Sequence, residues 1–95
     1  MPPEPTAAQS GDMPLLPLSD RWRVAHDGRL QWIVEQRRGR RWRGRRFHVE
    51  RDALLRSIAE MCGPVEPAAV ATIRAWPARY AAAVFNQAQP DRVAA

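Results

Sequence analysis

Ninety-five residues carrying fifteen arginines, no lysine and ten carboxylates give a formal charge of +5. That length supplies one hydrophobic core and excludes two domains with separate cores. A single cysteine excludes an intrachain disulfide and fits a reducing compartment, and no apolar run approaches the roughly 20 residues that span a bilayer.

The charge is one block. Residues 1–20 carry Glu4, Asp12 and Asp20 and no base, whereas residues 21–56 carry twelve arginines against Asp27, Glu35, Glu50 and Asp52, a local +8. The remainder is balanced. The wealth of Arg, Ala and Pro and the lack of Lys follow from GC-rich coding, which accounts for Arg replacing Lys. Coding bias does not account for twelve of fifteen arginines in thirty-six residues.

In chain order, residues 1–20 hold five prolines and few large apolar side chains, so burial cannot repay the entropy of ordering them. A disordered tail is expected there. Within it Met13 to Leu18 is locally apolar and is expected to pack on the domain edge, with a short docking segment as the alternative. Met13 is also a candidate start codon. The first residues lack the basic start and apolar stretch of a secretory signal, so the cytoplasm is the expected compartment. A single domain is expected over residues 21–87, with 88–95 a second disordered tail.

Arg21 to Arg37 reads as a β-hairpin around His26-Asp27-Gly28. A three-residue loop ending in a Gly28 bulge pairs Val24 with Leu30 and Trp22 with Trp32, and with Val34 these make one apolar face. A one-residue slip would invert every side chain, so the pattern selects this register. The opposite face then carries Arg21, Arg23, Arg29, Gln31, Ile33 and Glu35. From Arg37 to Arg46 seven arginines and two glycines without an acid predict a solvated loop. A short third strand follows, with Phe47 and Val49 inward and Arg46 and His48 outward.

Leu54, Leu55, Ile58, Met61 and Cys62 form one helical apolar stripe. Glu50 and Asp52 lie at its positive end, and Gly63-Pro64 stops it. Pro67 suits the first turn of a second helix, with Val70, Ile73 and Trp76 inward until Pro77. Ala78 to Gln87 is again helix-prone, with Tyr80, Val84 and Phe85 on one side. The expected fold is α+β: a three-stranded antiparallel sheet followed by two or three helices packed on one face.

His26, His48, the serines and an apolar-stripe Cys62 make no nucleophile, base and orienter set, and their spacing is not that of metal ligands. Gly39 and Gly44 lack the phosphate-loop pattern and its Lys. No enzyme and no cofactor is implied. Arginine does bind polyanions, because its guanidinium grips phosphate as a planar fork at every relevant pH. Arg21, Arg23, Arg29 and Gln31 are the candidate base readers and Arg46 a lateral contact. Arg37, Arg38, Arg40, Arg41, Arg43 and Arg45 are the candidate phosphate clamp. Trp42 either plugs the core edge or stacks on an unpaired base. The partner is a DNA or RNA, or a protein complex that handles one; an exposed sheet edge and the alanine-rich end also permit a homodimer.

Three strands before a helix, over Arg21 to Cys62, resemble in topology the sheet-reading DNA-binding domains of the phage integrase arm-binding and AP2 types. The string Leu18-Ser19-Asp20-Arg21-Trp22, with Gln31-Trp32-Ile33, Trp42, Phe47 and Arg51-Asp52-Ala53-Leu54-Leu55, is similar to small uncharacterised proteins of proteobacterial prophages and plasmids. That second resemblance implies a mobile-element protein, and such elements encode inhibitors of host defence, anti-CRISPR proteins included. Two functions therefore stand as expectations: a non-enzymatic nucleic-acid-binding module, or an inhibitor whose basic surface meets a protein or ribonucleoprotein.

Overall fold

A computed structural model of the protein describes residues 12–86. The tails expected over 1–20 and 88–95 therefore lie outside the described residues, except for 12–20. Four strands, β1 (Met13–Pro17), β2 (Trp22–His26), β3 (Trp32–Arg38) and β4 (Arg41–His48), form an antiparallel meander in the order β1-β2-β3-β4. Three helices follow: α1 (Arg51–Met61), α2 (Pro67–Arg74) and α3 (Ala82–Asn86). The α+β class holds, and the sheet has one strand more than the sequence suggests.

The extra strand is β1, in the apolar stretch from Met13 to Leu18 expected to pack on the domain edge, within a tail otherwise expected to be disordered. Proline cannot donate to a ladder, so Pro14 and Pro17 suit only an edge strand, which is where β1 lies. The pairing slips between Pro14 and Leu16, and Leu18 just beyond is fully buried, which anchors the segment to the core.

The β2–β3 hairpin differs from the expected register. His26 pairs with Trp32 and Val24 with Val34, leaving a five-residue loop from Asp27 to Gln31. One oxygen of Asp27, Oδ1, accepts from the backbone N–H groups of Arg29, Leu30 and Gln31 and so holds the longer loop. The shift is an even number of residues, so Trp22, Val24, Trp32 and Val34 still share the core face, while Leu30 is left 62% exposed.

That face meets α1 and α2 through Leu54, Ile58, Ala69 and Ile73. Cys62 is buried as a small hydrophobe, and burial pushes its thiol up to about 11. Trp32 is enclosed by aromatic rings: Trp76 stacks on it at 5.6 Å, and Tyr80 and Phe85 meet it edge-on. Of the expected inward side chains on the last helix, Phe85 is buried and Val84 is 46% exposed. His26 closes the cluster, its Nδ1 hydrogen-bonded to Tyr80 Oη at 2.8 Å. Burial lowers the pKa of His26 despite the nearby Asp27 and Asp12, so it is neutral at pH 7. Arg51 secures the chain after α2 by donating from Nη1 to the Trp76 carbonyl at 2.9 Å.

Candidate nucleic-acid interface

The arginine-rich segment is a hydrogen-bonded ribbon and not the expected loop. Arg38 pairs with Arg41, Arg37 with Trp42 and Gln36 with Arg43, and Gly39-Arg40 makes the turn. Gly39 has φ +66°, a conformation that lets a two-residue turn follow the twist of the strands. The last backbone tie to the rest of the sheet runs from Arg37 N–H to the Arg21 carbonyl, so the tip from Arg38 to Arg41 overhangs β2.

A bulge between Val34 and Glu35 inserts Arg45 into β4. Below the bulge, pairing of Arg46 with Val34, Phe47 with Ile33 and His48 with Trp32 reverses the expected alternation of the third strand. Arg46 and His48 turn toward α1, where Ser57 Oγ lies 3.3 Å from Arg46 Nη1 and 2.6 Å from His48 Nε2. Arg46 also stands 3.9 Å from Glu60. Phe47 turns to the face away from the helices and is 54% exposed, and Val49 is exposed as well. The backbone there is tight: a Cβ on Gly44 would meet Phe47 Cζ at 2.9 Å and Ile33 Cγ2 at 3.1 Å. Ser57 is buried at 3%, and its bond to His48 ties strand to helix. Burial first, then Arg46 and Arg56, lower the pKa of His48. Arg56, absent from the sequence candidates, thus extends the basic band onto α1; its clue was its place on the polar side of the helical stripe.

The proposed reader face does not form. Arg21 precedes β2 and is exposed; Arg29 and Gln31 lie in the Asp27–Gln31 loop. Arg23 alone of the four is on a strand, and it is engaged: its Nε donates to Glu35 Oε1 at 2.7 Å, and its guanidinium sits 4.3 Å from the centre of the Trp42 ring. Glu35 is fully buried, and burial and a hydrogen bond to Asp12 push its carboxyl up to about 7 against the lowering pull of Arg23. Ala25 and Ile33 on this face are buried too. Trp42 is half-buried here, covering Arg23, and it does not plug the core edge.

The clamp residues are brought together. Arg37, Arg38, Arg40, Arg41 and Arg43 are exposed, and none has a carboxylate within ion-pair distance among the described residues. Arg45 donates to Gln36 Oε1. Among the described residues no group of three or more His, Cys, Asp or Glu could hold a metal ion, and no helix is long and apolar enough to cross a membrane. No protein-family model matches the chain, and no match was found among curated proteins or solved structures.

Proposed function

We propose that the chain is a non-enzymatic nucleic-acid-binding module that grips phosphates with the β3–β4 hairpin. The observation carrying this reading is the set of five exposed arginines, without carboxylate partners among the described residues, on the two faces and turn of one hydrogen-bonded ribbon. Each guanidinium can take a phosphate bidentately, and the ribbon spaces them before binding, so less ordering entropy is lost on contact. Such contacts follow the backbone of the nucleic acid and carry no base code.

Anisotropy titrations with labelled single-stranded and duplex oligonucleotides test the proposal, with the Arg40→Glu/Arg43→Glu double variant beside the natural chain. Binding at about 50 mM salt that the charge reversals weaken at least tenfold supports it. Absence of binding to both forms overturns it, as does a cellular partner retained after nuclease treatment while neither oligonucleotide binds.

A further inference from the structure

Two concavities meet at the base of the hairpin. A groove of about 410 Å³ crosses the sheet face away from the helices, with Pro14 and Pro17 of β1 on one side and Trp42 of β4 on the other. Arg23 and Arg37 also line it. Beside it is a notch of about 270 Å³ formed by Arg21, Arg37, Arg38 and Gly39. Arg37 belongs to both, so a single ligand can fill the groove and present an anion to the notch.

The groove has the chemistry of a base site. Prolines and leucines of β1 make one wall and an indole the other, the indole's plane already fixed by the Arg23 guanidinium 4.3 Å from its centre. Glu35 holds that guanidinium in turn at 2.7 Å. An aromatic surface set before the ligand arrives loses little rotamer freedom on stacking. Asp20 and Ser19 also border the groove, where they can accept hydrogen bonds from the amino edge of a base. A carboxylate at that position disfavours a phosphate in the groove. The neighbouring notch, with three arginines and no acid, favours one.

We propose that groove and notch together bind one unpaired nucleotide of a single-stranded nucleic acid, its base against Trp42 and its phosphate on Arg21, Arg37 and Arg38. This deepens the nucleic-acid reading above and rests on it. The volume falls within the range of about 300–1,000 Å³ that holds small molecules, which admits one nucleotide and no duplex. A paired base has both faces covered by its stack and does not reach an indole set in a groove. Adjacent nucleotides of the strand would then run along the hairpin arginines.

Anisotropy at one fixed salt concentration gives the comparison. One base stacked on an aromatic ring is worth about five- to 150-fold in affinity, so the natural chain should prefer a single strand over its duplex by at least about fivefold. Trp42→Ala should erase that preference and leave duplex affinity unchanged, and Trp42→Phe should keep most of it. Photocrosslinking of the natural chain to a strand carrying a photoreactive base is independent of how the variants fold, and the adduct should map to Trp42 or to Pro14–Pro17. Equal affinity for strand and duplex, or an adduct elsewhere, overturns the site and leaves the phosphate grip standing. Binding to neither form removes both proposals. Displacement of the strand by equimolar nucleoside monophosphate would assign the site to a free nucleotide and overturn the strand assignment.

Discussion

Replacing Arg23 with Met keeps an aliphatic stem beneath Trp42 and removes the cation facing Glu35. Glu35 is fully buried, and its carboxyl already stands at about 7, up from the ordinary 4.5, with Arg23 only 2.7 Å away. A carboxyl whose folded pKa exceeds its unfolded one binds its proton more tightly when folded. Its contribution to stability is therefore fully present below about pH 4.5 and is lost as the pH rises through about 7. In the natural chain that loss ends near pH 7, because Glu35 then ionises against Arg23. In Arg23→Met the carboxyl has no cation to ionise against and stays protonated to higher pH, at about 1.36 kcal/mol for each further unit. Between about pH 7 and 8.5 the gap in stability between variant and natural chain should thus widen, with a ceiling of about 2 kcal/mol. Loss of the cation–π contact adds a pH-independent ~0.5–1 kcal/mol. His26 and His48, whose lowered pKa values favour the fold at higher pH, titrate in both chains and cancel. Urea unfolding of both chains at about pH 5, 7 and 8.5 measures the gap. A gap that is equal at the lowest and highest pH refutes the reasoning.

If the six arginines from Arg37 to Arg45 neutralise phosphates, duplex affinity should fall by roughly three orders of magnitude between about 50 and 200 mM salt, and single-strand affinity by roughly 300-fold. Arg40→Ala/Arg43→Ala should reduce the log–log salt slope by about 1.4–1.8, and an unchanged slope would show that these two side chains touch no phosphate. Ser57→Ala leaves both His48 Nε2 and Arg46 without their hydroxyl partner and should cost about 1–3 kcal/mol by denaturant unfolding. Gly44→Val must displace the Phe47 ring and crowd Ile33, so a loss of about 1–3 kcal/mol is expected, and Phe47→Ala in the same chain should recover part of it.

The core was legible where side-chain period decides it. The helical stripe through Leu54 and Ile58 and the alternation of Trp22, Val24, Trp32 and Val34 each admit one inward face. Loop length was not legible from the same pattern, because registers that differ by an even number of residues present identical faces. What selects between them is Asp27 Oδ1 holding three amides, a local bond that outweighs the exposure of Leu30. Prolines concealed β1, since their penalty in a sheet vanishes on an edge strand. The charge block pointed to the hairpin arginines, but Gly39 read as flexibility where it serves as a turn. Arg23 read as a free reader because its partner Glu35 lies twelve positions on and faces it only once the strands pair.

The added residue at Arg45 works as a change of reading frame for side-chain orientation. On its tip side the ribbon places Trp42 and Arg37 over the groove; on its other side the same strand turns His48 inward to Ser57. Lengthening the tip by one residue pair on each strand would extend the arginine ladder and leave both arrangements in place. A single inserted residue between Trp42 and Gly44 would turn the indole away from Arg23 while His48 stayed on Ser57 and the core stayed closed. The reach of the ribbon can therefore vary in steps of two without the body of the protein responding.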